Sequence, residues 1–138
     1  MAAILVDTGT LYAIADSNDT WHRPMETFLQ TNTDTLIVPI TILPEVCYLL
    51  STYLGQEAER KFIESLLMEE IKIESMTKED LRRSLRLLES YGDANIGFVD
   101  ASLIAIAERL KIRRILTTDR RDFSIIRPSH CHAFDLLP

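Results

Sequence analysis

Short apolar runs alternate along the chain with longer segments in which apolar residues recur at helical spacing. The runs have the length and composition of buried strands, and they cover residues 2–6, 36–38, 71–74 and 114–118. Strands that alternate with helices predict an α/β fold in which helices cover a mostly parallel central sheet. We therefore expect a three-layer α/β/α architecture.

The helical segments are bounded by residues that commonly start or stop helices. We expect Thr41 to cap one helix, Asp19 and Thr20 to cap another, and Thr77 to open a third through a near capping box. The predicted helices cover residues 10–16, 19–31, 41–55, 57–70, 77–92 and 99–110.

Two further expectations concern the second half of the chain. In the helix that follows Thr77, the spacing of Leu81, Leu85 and Leu88 predicts that these three side chains face the core. A short tail strand is expected near residues 124–126.

Length and composition indicate one globular domain over residues 1–138. Hydrophobic residues make up 46% of the chain, and it contains only 4 glycines and 5 prolines, which excludes collagen-like or low-complexity structure. A chain of this length can bury roughly two thirds of the surface it exposes when unfolded. A sizeable core is therefore available.

No segment has the pattern of a targeting or membrane-spanning sequence. Asp7 interrupts the first apolar run too early for a signal peptide, and residues 36–50 contain two prolines and fall short of a membrane span. We expect a soluble, cytoplasmic protein in which Cys47 and Cys131 are reduced. His130 and His132 flank Cys131, but three ligands so close in sequence cannot easily aim at one tetrahedral zinc ion, so a polar turn is favoured.

Four acidic residues stand where predicted strands end or predicted helices begin. Asp7 and Asp119 each follow a strand, whereas Glu45 and Asp100 lie in first helical turns, on the faces that point inward. The carboxyl ends of parallel strands share one edge of the sheet, the edge where such folds bind ligands. Carboxylates that are distant in sequence are therefore expected to converge there.

Any one of these acids alone would be explained by capping or by the helix dipole. Together they need compensation, because two like charges about 4 Å apart repel by roughly 4 kcal/mol at a near-surface dielectric. The group must either take up protons or bind a cation. Oxygen-only ligands suit Mg²⁺ or Mn²⁺ better than Zn²⁺, so the preferred interpretation is a divalent metal site.

Four motifs that contain these acids resemble those of the PIN domain family. In order along the chain they are ILVDTG at residues 4–9, Pro44-Glu45, FVDA at residues 98–101 and LTTDRRDF at residues 116–123. Their order and spacing are closest to the small single-domain ribonucleases of the VapC type, the toxin halves of toxin–antitoxin pairs. The resemblance covers nearly the whole chain.

This resemblance implies a divalent-metal-dependent endoribonuclease that hydrolyses RNA with a metal-activated water. Asp7, Glu45, Asp100 and Asp119 are the matching catalytic and metal-binding positions. Asp122 either assists the fourth acid or lies in a short solvated turn, so it stands outside this core set.

Thr8 and Thr118, beside the two strand-end acids, either orient a carboxylate through a hydroxyl or serve only as a helix cap and a turn. The resemblance also implies an antitoxin partner and a homodimer, with residues 48–50, Tyr53 and Leu54 as a plausible contact.

Charge is the main argument against a nucleic-acid substrate. The chain has 15 basic and 21 acidic residues, a net charge of −6, whereas nonspecific binders of phosphate backbones are usually basic. Five arginines near the Asp119 strand either contact phosphates or form a solvated rim: Arg113, Arg114, Arg120, Arg121 and Arg127.

A second group, Arg82, Arg83 and Arg86, is expected on a helix surface, the first two paired with Glu79.

Two other functions are compatible with parts of the sequence. A PIN-like module that only binds RNA or protein keeps the fold without the chemistry, and it is the alternative hypothesis. A phospho-acceptor domain with Asp7 as nucleophile is disfavoured, because Thr8 and Gly9 supply neither the adjacent acid nor the lysine that such a site needs.

Overall fold

A computed structural model describes residues 2–138. Within them, five strands form one sheet in the spatial order β3-β2-β1-β4-β5, and each of the four pairings is parallel. The predicted α/β fold with a parallel central sheet is confirmed. The strands are β1 (Ala3–Val6), β2 (Thr35–Pro39), β3 (Ile71–Glu74), β4 (Arg114–Leu116) and β5 (Asp135–Leu137).

Helices occupy most of the segments between the strands. Two short 3₁₀ helices span Ile40–Ile42 and Gly92–Ala94. The α-helices are α1 (Thr8–Ala15), α2 (His22–Thr31), α3 (Leu43–Tyr53), α4 (Gln56–Ser65), α5 (Lys78–Ser90), α6 (Phe98–Leu110) and α7 (Arg120–Ile125).

The central strand β1 is apolar throughout because both faces of the sheet are covered. Successive side chains of a strand point to opposite faces. Ile4 belongs to a core cluster with Ala13 of α1 and Met25 of α2, whereas Leu5 packs in the larger cluster that contains Leu103 of α6. The sheet therefore lies between two helical layers.

The order of the strands places a crevice beside β1. From β1 the chain first builds β2 and β3 on one side, and it then returns to build β4 and β5 on the other. In open α/β sheets, ligands bind outside the carboxyl ends of the strands at the point where the direction of winding changes. That point lies between β1 and β4, the strands that precede Asp7 and Asp119.

The predicted tail strand is wrong. Residues 124–126 belong to the end of α7 and the residue after it, and the last strand is β5, further along the chain. Asp119 explains the helix, because its side chain accepts a hydrogen bond from the backbone N–H of Asp122 and so caps α7 at its start.

Several predicted helix starts also differ. Thr41 does not cap α3 but lies in the 3₁₀ helix before it, where its hydroxyl is 2.7 Å from Ser102 Oγ. Pro24 has no N–H to donate to the carbonyl four residues earlier, so α2 begins later than predicted, at His22. The Asp19 carboxylate instead accepts a hydrogen bond of 2.8 Å from the Trp21 amide.

The helix predicted over residues 57–70 ends earlier, at Ser65. The next residues form tight turns in which the Leu67 amide bonds the Glu64 carbonyl, before β3 begins.

The orientation of α5 differs from the sequence prediction for two of its three leucines. Leu81 is 49% exposed and Leu85 is 59% exposed, whereas Leu88 is partly buried against the core as predicted. Asp80, Ser84 and Leu87 are also buried. The capping box is confirmed, since the Thr77 hydroxyl accepts from the Asp80 amide and the Asp80 carboxylate accepts from the Thr77 amide. The buried face holds a carboxylate because α6 supplies its partner, Arg109.

Of the helices within the described residues, none combines the length and apolar character needed to cross a lipid bilayer.

Candidate active site

The structure brings an acidic group together at the carboxyl edge of β1 and β4. Oxygens of Asp100, Asp119 and Asp122 lie within 4.8 Å of one another. Asp7 and Glu45 lie outside this tight group, yet both are close enough for their charges to raise the pKa of Asp100. Five acids from four separate parts of the chain therefore share one electrostatic environment.

Local structure explains how each predicted acid reaches this edge. Asp7 follows β1 directly and is the N-cap of α1, and Asp119 is the N-cap of α7. Glu45 and Asp100 stand in the first turns of α3 and α6. The helix starts and strand ends thus meet at one place, as their sequence positions predict.

Asp122 joins the group although its sequence position does not predict it. It lies three residues after the N-cap of α7, and its amide donates to Asp119 Oδ1 at 3.0 Å. This single turn of helix brings both carboxylates to the same side. A sequence prediction of helix over residues 120–125, in place of a turn, would have identified Asp122.

Both carboxylate oxygens of Asp7 are held in place. The amide of Thr8 donates to Oδ1 at 2.7 Å, and the hydroxyl of Thr117 donates to Oδ2 at 2.9 Å. Asp7 is itself buried. Its position is therefore fixed by the protein and does not depend on a ligand.

Glu45 is held differently. It is exposed, not turned inward as its helical spacing predicts, and it accepts a hydrogen bond of 2.7 Å from the Thr8 hydroxyl. Thr8 therefore orients a carboxylate, as one of its two interpretations predicts. Between β4 and α7, the threonine whose hydroxyl bonds one of the strand-end acids is Thr117, which donates to Asp7. Thr118 instead lies against Gly9, and a Cβ added to Gly9 would collide with Thr118 Oγ1.

Crowding and burial change the protonation of the group. Burial, followed by the charges of the neighbouring acids, raises the pKa of Asp100 from 3.8 to about 7. Burial also raises the pKa of Asp7, although the Thr8 amide and the Thr117 hydroxyl oppose it. Burial, with hydrogen bonding to Asp119 and its charge, raises the pKa of Asp122. The group carries more negative charge than its surroundings neutralise, which favours a bound cation.

The metal-free protein is expected to lose stability as pH rises through about 7. The pKa of Asp100 is raised in the folded chain, so its contribution to folding is complete below about pH 4 and is lost as the pH passes its folded pKa. Asp7 acts in the same direction. After allowance for partial solvent screening, the loss between pH 5.5 and 8 should be on the order of 1 kcal/mol.

Denaturant unfolding in a chelating buffer at several pH values measures this loss, with Asp100→Asn as the control. The variant should show a flatter pH dependence, and an unchanged slope would contradict the assignment. Added Mn²⁺ should restore stability at pH 8.

The cationic residues near the acids are fewer than the sequence predicts. Arg114 stands at the start of β4, away from the acids, and pairs with Asp34 at 2.6 Å. Arg120 donates to the carbonyls of Leu136 and Pro138, and its guanidinium lies 5.5 Å from the Trp21 ring.

Arg121 is exposed beside Asp122, and its positive charge partly opposes the rise in the pKa of Asp122. Contact between Arg121 or Arg127 and phosphate stays a prediction.

The helix-surface arginines follow the prediction in part. Arg82 pairs with Glu79 as expected, but Arg83 forms a bidentate pair with Glu108 of α6, at 2.7 and 3.0 Å. The Glu108 carboxylate also accepts from the Ser129 amide at 2.8 Å. The Arg83–Glu108 pair therefore joins two helices, and Glu108 connects them to the loop at Ser129.

In the histidine and cysteine cluster near the C-terminal strand, the two ring nitrogens of His130 differ, and Nδ1 is buried without a hydrogen-bond partner. Nε2 of His130 is 2.6 Å from the Ile112 carbonyl, which requires a proton on that nitrogen. Cys131 Sγ donates to the Ala133 carbonyl at 3.4 Å, and both cysteines are free thiols. Throughout residues 2–138, the acids Asp100, Asp119 and Asp122 form the one group of three or more potential metal ligands.

Comparison with known proteins places this site in a family. Residues 4–127 match the PIN domain. The chain belongs to the PIN domain family. The predicted resemblance is confirmed, and it spans the strands and helices that carry all five acids of the site.

Relatives of this PIN domain include proteins of the VapC type. The chain is 29% identical over 135 residues to "Ribonuclease VapC26" of Mycobacterium tuberculosis, covering 98% of this chain and 100% of that protein. The crystal structure of M. tuberculosis VapC20, described as a toxin that cleaves the sarcin-ricin loop, matches with a TM-score of 0.84 and 21% identity over 94% of this chain and 98% of that chain.

A toxin–antitoxin complex from Klebsiella pneumoniae matches with a TM-score of 0.69 and 20% identity, over 89% of this chain and 92% of that chain. These two structures share the fold with this PIN domain.

Proposed function

We propose that this PIN domain is a divalent-metal-dependent endoribonuclease and the toxin of a type II toxin–antitoxin pair. The observation that carries the proposal is the close approach of Asp100, Asp119 and Asp122 within 4.8 Å, flanked by Asp7 and Glu45. The similarity to a protein named a ribonuclease, over nearly the full length of both chains, supports the choice of RNA.

The donors fit Mg²⁺ or Mn²⁺. Every candidate ligand is a carboxylate oxygen, the donor type that these hard cations prefer. Asp7, Glu45, Asp100 and Asp119 would hold the cation together with Asp122. When bound, a divalent cation makes water nucleophilic near neutral pH and stabilises negative charge on a phosphodiester in the transition state.

The residues of the chain have distinct tasks in such a site. Asp7 is immobilised by two hydrogen bonds, so it offers a fixed point for the cation. Glu45 is exposed and oriented through Thr8, so it can accept a hydrogen bond from water on the open side. Asp100, with a pKa of about 7, is partly protonated at neutral pH in the metal-free chain and would release this proton when a cation binds. No side-chain nucleophile is required.

The net charge of −6 disfavours tight nonspecific binding of RNA. RNA must therefore be held through local contacts, for which the exposed Arg121 beside Asp122 is the best placed. Such a chain should act on selected RNA sites and not degrade RNA indiscriminately.

Incubation of the purified protein with structured and single-stranded RNAs tests the proposal, with Mg²⁺ or Mn²⁺ against chelator. Internal cleavage that depends on the metal is the expected result. Cleavage that survives chelation would contradict the mechanism, and RNA or protein binding without cleavage would favour the non-catalytic PIN-like module.

An antitoxin partner and a homodimer belong to the same proposal. A structural neighbour is a toxin–antitoxin complex, which supports the first. For the homodimer, Tyr48 and Tyr53 of α3 are 67% and 68% exposed and Leu54 is partly exposed, but Leu50 is fully buried in the core and cannot form part of the contact. A monomeric sedimentation profile would contradict the homodimer. Co-purification with a small protein encoded by a neighbouring gene would identify the antitoxin.

A further inference from the structure

Two hydroxyls connect the parts of the chain that carry Glu45 and Asp100. Thr41 lies in the 3₁₀ helix Ile40–Ile42, directly before α3, and Glu45 stands in the first turn of α3. Ser102 is fully buried in α6, two residues after Asp100. Thr41 Oγ1 and Ser102 Oγ are 2.7 Å apart, so a hydrogen bond joins the two segments.

The direction of this hydrogen bond follows from a second one. Ser102 Oγ donates to the Val99 carbonyl, which is 2.6 Å away in the first turn of α6. A hydroxyl has a single proton, so Ser102 can only accept from Thr41. Two bonds in series therefore run from the segment before α3 to the carbonyl of the peptide bond that joins Val99 to Asp100.

The position of Asp100 depends on the position of α6 itself. Asp7 and Asp119 each cap a helix with a side-chain oxygen, and Glu45 accepts a hydrogen bond from α1. Within the part of the chain that the structure describes, the Asp100 carboxylate has no hydrogen-bond partner. Its place in the acidic group is therefore set by where the first turn of α6 lies.

Apolar packing alone does not fix how α6 lies against α3. Val46 of α3 and Leu103 of α6 belong to the same core cluster. Hydrophobic contact is nondirectional, however, whereas a hydrogen bond has strict requirements of distance and angle. The hydroxyl pair therefore specifies how the first turn of α6 is placed relative to the start of α3.

We propose that Thr41 and Ser102 are positioning residues that set the separation of Glu45 and Asp100 in the acidic group. This inference rests on the proposed metal site. The two carboxylates repel each other, which pushes the starts of α3 and α6 apart when no cation is bound. Neither hydroxyl bonds an acid, so the pair acts on the site only through the two helices.

Four single variants test the pair. Thr41→Val removes the donor at nearly constant volume and leaves the bond from Ser102 to Val99 intact, whereas Thr41→Ser keeps a hydroxyl. Ser102→Ala removes the acceptor. Ser84→Ala is the matched control, because Ser84 is also a buried serine inside a helix, but it donates only to the Asp80 carbonyl of its own helix, at 2.8 Å.

Mn²⁺ binding to the RNA-free protein, measured by calorimetry, is the first readout. Loss of groups that orient metal ligands typically weakens binding 10- to 100-fold. Because the pair acts through helices, we expect a loss of about 10-fold in Thr41→Val and in Ser102→Ala, less than about threefold in Thr41→Ser, and none in Ser84→Ala. The double variant of Thr41→Val and Ser102→Ala should lose no more than the larger single loss, since both changes break the same bond.

Hydrogen exchange of the Ala101 amide is a second readout, and it needs no metal. This amide donates to the Gly97 carbonyl at 3.1 Å, so it reports on the first turn of α6. Its protection should fall in Thr41→Val, although the change lies on another segment, and should be retained in Thr41→Ser and Ser84→Ala.

Three results would each overturn the positioning role: wild-type Mn²⁺ affinity in Thr41→Val, unchanged protection of Ala101 in that variant, or additive losses in the double variant. Thr41→Ala gives the same comparison if the valine variant does not fold. A wild-type protein that binds no Mn²⁺, while Thr41→Val still loses protection at Ala101, would defeat the proposed function alone.

Discussion

Asparagine in place of Asp100 is expected to lower metal-dependent RNA cleavage by about 100-fold or more. Asp100 is the one acid whose pKa is raised by all four of its neighbours, so it lies where their charges act together. A neutral amide there would weaken cation binding, and a loss of about 3 kcal/mol in transition-state stabilisation is already more than a factor of 100. Single-turnover cleavage across a series of Mn²⁺ concentrations measures the effect.

The same substitution should increase the stability of the metal-free chain at pH 8, since it removes a half-buried charge from a crowded group. Activity and stability would then change in opposite directions, which a simple folding defect cannot produce. Asp135→Asn is the matched control, because Asp135 is exposed at the start of β5, on the other edge of the sheet. Full cleavage by Asp100→Asn would show that the acidic group is not the active site.

Methionine in place of Arg109 is expected to destabilise the fold by roughly 3 to 5 kcal/mol. Arg109 Nε bonds both oxygens of Asp80, and its Nη2 bonds Glu74 at 2.9 Å and the Ser75 carbonyl at 3.1 Å. The side chain of Asp80 is only 3% exposed. Burial raises the pKa of Asp80, but Arg109 and the Thr77 amide reverse this and hold it below 3.8. Without Arg109, the buried charge of Asp80 has no cationic partner.

Thermal melting should show the loss of Arg109 as a fall in Tm of about 10 °C or more. Arg82→Met is the control, because it breaks a pair with Glu79 in which both side chains are largely exposed and should cost under about 1 kcal/mol. Adding Asp80→Asn to Arg109→Met should recover part of the stability by removing the unpaired charge. Equal melting of the two arginine variants would mean that the buried pair contributes no more than a surface one.

The position of the acids could be predicted because strand ends and helix starts are local features. The apolar run before Asp7 and the helical stripe after Asp100 are both visible in the sequence, and parallel packing then brings their ends together. Thr117 could not be assigned in the same way. Whether Thr117 or Thr118 reaches Asp7 depends on how the chain turns after β4, which sequence periodicity does not specify.

The orientation of α5 was missed for a different reason. Hydrophobic periodicity assigns leucines to the core. It cannot predict that a carboxylate is buried because an arginine of another helix neutralises it. Asp80 and Arg109 are 29 residues apart, and their pairing turns α5 so that Leu81 and Leu85 face outward. Tertiary pairing of this kind overrides a local hydrophobic pattern.

The pairing of the first strand with β4 also orders events during protein synthesis. Asp7 leaves the ribosome early, whereas Thr117, its hydrogen-bond partner, follows 110 residues later. A nascent chain that stops short of β4 therefore has carboxylates but no pocket between them. The acidic group would be completed last, after α1 to α4 have already emerged.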